Sequence, residues 1–168
     1  MKLIQSLAVV LAGLLCAGAS HHPVLFGTVT RVVDGDTLVV QLSTGPMRVR
    51  LYGIDAPEHK QPGGRESAAA LTSLVGGERV ELEPINQDRY SRMVARVVRG
   101  QLDVNAEMIR RGDAWVYRHY LRREDRGWCS LESEARKAHR GLWAVRDPVP
   151  PWDFRHHTIG SRPVPDCQ

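Results

Sequence analysis

Three acids and two arginines stand where strands of this chain should end. Asp36 follows a glycine in VDGDT (33–37), Asp55 and Glu58 share the turn YGIDAPE (52–58), Arg50 precedes that turn, and Arg92 closes DRYSR (88–92). Carboxylate oxygens are hard donors that suit a hard divalent cation. Guanidinium groups fork onto two phosphate oxygens at once and keep their charge. A further carboxylate beside such a pair can accept a proton from water. Together these types could drive attack of water on an anionic phosphorus ester. The plainer reading is a surface ion-pair network, worth about 0–1 kcal/mol per pair.

These residues need a scaffold with a rim. β-Branched runs at 24–33 and 37–42 meet at Asp34-Gly35, a hairpin signal, with Asp34 read as turn structure. A turn at 43–46 leads to a third strand over 47–53, with Arg48, Arg50 and Tyr52 on one face and Val49 and Leu51 on the other. Further strands are expected at 79–83, 93–99 and 114–117. Helical spacing appears at 66–75, at 104–111 with Asp103 as N-cap and Gly112 beyond its end, and at 126–139. DPVPPW (147–152) reads as extended. Short strands followed by packed helices give an α+β class, a small barrel capped by helices. Trp115, Trp128, Trp143 and Trp152 are expected as core anchors rather than base-stacking platforms.

The first 19 residues, MKLIQSLAVVLAGLLCAGA, combine Lys2, an apolar run and an A-x-A site. They read as a secretory signal peptide cleaved after Ala19, with an apolar run too short to span a membrane; a buried N-terminal helix is the alternative. A lipoprotein site at Cys16 wants a small residue before the cysteine, and Leu15 is not one. The protein is therefore expected in the periplasm or secreted, free of membrane after cleavage. Cys129 and Cys167 then remain in a compartment that permits disulfides; a bridge and two separate thiols stay equally open. The formal charge of +4 loses one unit with Lys2, and the sequence pI is about 9.2. That balance points weakly to a polyanionic partner. The pairs His21-His22 and His156-His157 read as solvated rather than metal-binding.

VDGDT, RLYGIDAPE (50–58) and DRYSR, in this order and spacing, resemble the signature of the staphylococcal-type nuclease (thermonuclease) family. NAEMIRRG (105–112) and the close RKAHRGLW (136–143) with PPW are similar to secreted bacterial members. The resemblance covers about residues 24–154, with 155–168 as a tail. It implies a five-stranded OB-fold β-barrel with about three packed helices, and Ca²⁺-dependent, sugar-nonspecific hydrolysis of DNA and RNA that leaves 3′-phosphates. Carried over, Asp36, Asp55 and the carbonyl of Ala56 are implied as calcium ligands. Glu58 is implied as the residue that orients or deprotonates water, and Arg50 and Arg92 as the pair on the scissile phosphate. Arg89 and Tyr90 match contacts to a terminal phosphate, and a nucleotide-contacting tyrosine is Tyr117 or Tyr120. The implied partners are nucleic-acid substrates, with no stable protein partner and a monomeric state.

Two positions depart from the family's best-known member. Ala56 stands where that protein has threonine, which keeps the carbonyl and drops a hydroxyl. Ser91 stands where glycine is usual, which stores strain if the residue takes positive φ. A non-catalytic nucleic-acid-binding module on the same barrel is the competing reading, but it has no need of Asp36, Asp55 and Glu58 together. A docking role for the 126–139 helix and the proline-rich tail has no positive sign in the sequence.

Overall fold

The computed structural model describes residues 23–156. The expected leader and Cys167 lie outside the described residues; Cys129 is disulfide-bonded. Five strands close into a barrel: β1 (Leu25–Asp34), β2 (Thr37–Leu42), β3 (Gly45–Leu51), β5 (Arg79–Gln87) and β6 (Met93–Arg99). Antiparallel pairing runs β3-β2-β1-β5-β6, and a parallel β3–β6 pairing closes the circle. Short β4 (Ile54–Asp55) and β8 (Trp115–Val116) pair as a separate two-stranded piece, and β7 (Leu102–Asp103) extends β6. Helices α1 (Gly64–Val75), α2 (Val104–Arg111), α3 (Trp128–Lys137) and α4 (Pro151–His156) complete the fold. The α+β barrel expected from the sequence is therefore present. No helix among the described residues is long and apolar enough to cross a membrane.

Alternation puts Val29, Leu38, Val40, Val49, Leu51, Val80, Leu82 and Val97 inside the barrel, each at most 1% exposed. Leu71, Leu74 and Val75 of α1 and Met108 and Ile109 of α2 seal it. The caps behave as read: Ala106 N donates to Asp103 Oδ1 at 3.0 Å, and Gly112 takes φ 79°. Asn105 is fully buried and fastens α2 to the barrel: its Nδ2 donates to Tyr52 O at 2.9 Å, and its Oδ1 accepts from Val97 N at 2.9 Å. Removing either partner would strand buried backbone groups.

Several boundaries differ from the sequence reading. β5 runs on to Gln87, because Pro84 sits beside a register shift between Pro84 and Asn86 and so breaks no ladder. β3 stops at Leu51, so Tyr52 turns inward to 3% exposure; its hydroxyl accepts from Arg122 N and its ring lies 5.9 Å from Trp128. The 147–152 segment is not extended throughout: Pro151 begins α4, where a proline costs no helical hydrogen bond. The loop joining β1 and β2 is Gly35-Asp36 rather than Asp34-Gly35, with Asp34 paired to Thr37. Gly35 has no positive φ. Its missing side chain serves packing, since a Cβ there would lie 1.8 Å from Ser67 Oγ and 2.7 Å from the Ala56 Cβ.

Of the four tryptophans, Trp115, Trp128 and Trp143 are buried. Trp115 and Trp143 meet edge to face at 4.3 Å, and the Arg136 guanidinium lies 4.0 Å from the Trp143 ring. Trp152 is the exception: it packs on Trp115 at 5.5 Å while its other side faces a cleft.

Candidate active site

Strand register brings the rim residues together. Thr37 pairs with Arg50 across β2–β3, so Arg50 stands beside Asp36 in the hairpin loop. The parallel rungs Val49–Met93 and Arg50–Val94 bring Arg92 to the same place, its Nη1 at 3.4 Å from Thr37 Oγ1. Asp55 pairs with Trp115 across β4–β8, and Tyr117 N donates to Gly53 O at 2.8 Å, which draws Tyr117 toward the same rim. Behind β8, buried Glu132 accepts from Val116 N at 3.2 Å and from Arg118 Nη2 at 2.6 Å.

The Arg50 guanidinium lies between the two aspartates. Its Nη2 donates to Asp55 Oδ1 at 2.7 Å, and its Nη1 contacts Asp36 Oδ2. Burial pulls the Arg50 pKa down against the raising effect of the Asp55 charge. Asp36 also accepts from Ala56 N at 2.7 Å and from Thr37 Oγ1 at 3.0 Å, and Asp34 Oδ1 accepts from Asp36 N at 3.1 Å. Asp36 thus has a fixed orientation, and Asp34 supports it from within the turn.

Asp88 organises the other arm. Its Oδ2 accepts from Arg92 Nε at 2.7 Å, and its Oδ1 accepts from Arg92 N at 3.0 Å and Tyr90 N at 2.8 Å. Burial would raise the Asp88 pKa, but these hydrogen bonds and the Arg92 charge together bring it below the usual carboxylate value. The Arg89 and Arg92 guanidinium groups flank the exposed Tyr90 ring at 4.8 Å and 5.5 Å. Ser91 takes φ 59°, the left-handed region, so the substitution for glycine at this turn does store strain.

A cleft of about 970 Å³ collects these groups. Its wall includes Asp36, Arg50, Ala56 and Glu58, together with Arg89, Tyr90 and Arg92. Asp55 lies beneath the wall, with no exposed surface. Tyr117 and Tyr120 both reach the cleft and touch edge to face at 4.9 Å, so position alone does not separate them. They differ in setting. Tyr117 lies parallel to Trp152 at 5.9 Å, with burial raising its pKa, whereas Tyr120 is 59% exposed.

Two cleft arginines had no part in the sequence reading. Arg122 enters beside Tyr52, and Arg155 arrives from α4. Arg155 Nη2 donates to Asp55 Oδ2 at 2.6 Å and Nη1 to Glu58 Oε1 at 2.8 Å. Burial alone would lower the Arg155 pKa, but Asp55 and then Glu58 raise it well above the ordinary arginine value. The signal available for Arg155 was the Pro150-Pro151 pair opening a helix four residues before it.

Among the described residues, no group of three or more His, Cys, Asp or Glu side chains is arranged to hold a metal ion. Two carboxylates are, however, drawn to one guanidinium at the cleft wall. Their hard oxygens, with a main-chain carbonyl and water, fit a hard divalent cation rather than a soft one.

The model of the family described as Staphylococcal nuclease homologue matches residues 48–145. The chain belongs to that family. It is 46% identical over 133 residues to an uncharacterized endonuclease of Escherichia coli O157:H7, covering 79% of this chain and 86% of the relative. It is 36% identical over 138 residues to a micrococcal nuclease of Shigella flexneri, covering 77% and 79%, and 38% identical over 147 residues to Protein ParB of Escherichia coli, covering 82% and 83%. As a member of the staphylococcal nuclease family the chain is a nuclease, a phosphodiester hydrolase whose substrates are nucleic acids. Nucleases of this family are generally metal-dependent. A purely binding module is not the reading that this family supports.

Proposed function

We propose that the chain is an exported, calcium-dependent, sugar-nonspecific nuclease that hydrolyses DNA and RNA to products with 3′-phosphates. One observation carries this reading: Arg50 joins Asp36 and Asp55 at the wall of a cleft that also holds Glu58 and Arg92. In this reading Asp36, Asp55 and the Ala56 carbonyl hold Ca²⁺. When bound there, the ion supplies positive charge next to a phosphoryl oxygen and helps to order water.

The remaining steps belong to side chains. Arg50 and Arg92 fork onto the non-bridging oxygens of the scissile phosphate and stabilise the charge that localises there as water adds. Glu58 orients the attacking water and accepts its proton. Arg89 and Tyr90 hold a terminal phosphate at the outer end of the cleft, and Tyr117 contacts the nucleotide. The signal-like leader supports export, and a nuclease of this size can work as a monomer with no stable protein partner.

The test is incubation of purified protein with plasmid and with RNA, in millimolar Ca²⁺ or with a chelator. Cleavage only with Ca²⁺, with fragment 3′ ends that lose phosphate to a phosphatase, is the expected result. Intact substrate at millimolar Ca²⁺ refutes the calcium reading.

A further inference from the structure

The Asp55 carboxylate is fully buried, and two arginines take its oxygens. Arg50 comes from the adjacent strand. Arg155 comes from the far end of the chain, and its pose is built rather than incidental. Trp152, one turn earlier on α4, is wedged between Trp115 at 5.5 Å and Tyr117 at 5.9 Å. Gln61 tethers the approach to α4: its Nε2 donates to Val149 O at 2.6 Å, and its Oε1 accepts from Glu58 N at 3.2 Å. The same glutamine therefore ties the backbone that carries Glu58 to the segment that carries Arg155. The guanidinium spans both acids, with its side chain 37% exposed and Asp55 fully covered.

Arg155 therefore competes with any cation held through the Oδ2 edge of Asp55, the edge that Arg50 leaves open. Arg155 Nη2 donates to Asp55 Oδ2, and a doubly charged ion brought to that oxygen would be repelled by the guanidinium. Arg155 Nη1 also covers Glu58 Oε1 at 2.8 Å, so that oxygen is occupied while the guanidinium is in place.

We propose that Arg155 is an internal occupant of the cation site. Its guanidinium and a divalent cation bind Asp55 in mutually exclusive fashion, and cation loading frees Arg155 into the cleft and uncovers Glu58. The inference rests on Asp55 being a cation ligand. In the cation-free protein Arg155 balances buried negative charge that Arg50 alone does not neutralise. Once freed, its positive charge remains in the cleft beside Trp152, near the path of a polyanionic strand. Arg155 is thus a positioning residue, acting on Asp55 and Glu58 rather than on reacting atoms.

Calcium titration by calorimetry on the wild type, Arg155→Gln and Asp55→Asn tests this, with no substrate present. Arg155→Gln should bind Ca²⁺ about ten- to a hundredfold more tightly, the ratio expected when one charge-assisted hydrogen-bonded competitor is removed. Its melting temperature should fall below wild type without Ca²⁺ and approach it at saturation. In ¹⁵N-arginine spectra of the wild type, the Arg155 Nη–H signals held by Asp55 and Glu58 should disappear with the same midpoint as the calorimetric binding. Equal or weaker Ca²⁺ affinity in Arg155→Gln, or an Arg155 signal unchanged at saturation, overturns the inference and leaves the cation site standing. Calcium heat that survives Asp55→Asn, or none in the wild type, overturns the cation site and the inference with it.

Discussion

Thr37 and Arg50 face each other on one rung of the β2–β3 pair, and Thr37 Oγ1 also lies within reach of Arg92. One cross-strand pair thus ties the two arginines that the proposed chemistry places on the scissile phosphate. Moving β2 against β3 by a single residue would turn Arg50 away from Asp36 and disassemble the set.

Arg50 should tolerate no substitute. Arg50→Lys keeps a charge but cannot bridge Asp36 and Asp55 while forking onto phosphate, so cleavage should fall by about 10²–10³. Arg50→Ala should also lose about 3–5 kcal/mol of stability, because it strands buried carboxylates. Single-turnover rates and urea unfolding of both variants check this. Near-normal cleavage by Arg50→Lys would remove Arg50 from the role assigned to it.

Glu58 and Arg92 lie nearer solvent, so their replacement should affect the reaction more than the fold. Glu58→Gln should slow cleavage by about 10²–10⁴ and Arg92→Ala by about 10²–10³. Circular dichroism should stay native for both. A Glu58→Gln enzyme that cuts at the wild-type rate would exclude Glu58 as the proton acceptor.

Gly35→Ala should destabilise by about 1–3 kcal/mol, since the new methyl must push Ser67 and Ala56 aside. Adding Ser67→Ala removes the closer obstacle but also the hydrogen bond from Ser67 Oγ to Asp113 O at 2.6 Å. The two changes should therefore couple non-additively in urea midpoints. Strict additivity would mean that Gly35 is required for another reason.

Ser91→Gly should stabilise the protein by about 1 kcal/mol, the relief of a left-handed residue less the extra entropy of an unfolded glycine. Chemical denaturation measures it directly. A loss of stability would show that the serine hydroxyl compensates for its backbone.

Asp113 sets a pH dependence of known sign. Burial raises its pKa from 3.8 to about 6, with Arg111 opposing and Glu107 assisting the rise. Between those two values the folded chain keeps a proton that the unfolded chain releases, so the contribution of Asp113 falls as pH rises through the window. Asp88 and Glu107, both lowered, act oppositely at lower pH, and Asp103, also raised, shares the direction of Asp113. Comparison with Asp113→Asn isolates the group: relative to the variant, the wild type should lose stability from pH 4 to about 6. A flat difference across that range would contradict a raised pKa for the half-buried Asp113 carboxyl.

Most of the barrel was readable because its strands alternate cleanly and its helices carry their own caps, as Asp103 and Gly112 do for α2. What escaped depends on tertiary contacts. Pro84 marks a strand end by local rule, yet β5 passes through it at a register shift. Gly35 looks like a turn glycine, and only the approach of Ser67 reveals its purpose. The cleft acids and arginines were legible as spaced motifs. Asp88 as the clamp on Arg92 and Arg155 as the partner of Asp55 were not. The Arg155–Asp55 contact joins residues 100 positions apart, and no local pattern records such a distance.

The parallel β3–β6 seam has a consequence for when the molecule is dangerous. Arg50 and Arg92 belong to segments that meet only when that seam zips shut, the slow, long-loop event of folding. The β1–β2–β3 meander carries Asp36 and Arg50, whereas Arg92 reaches them only through the β3–β6 pairing. The proposed pair of phosphate-binding arginines is therefore complete only in the closed barrel.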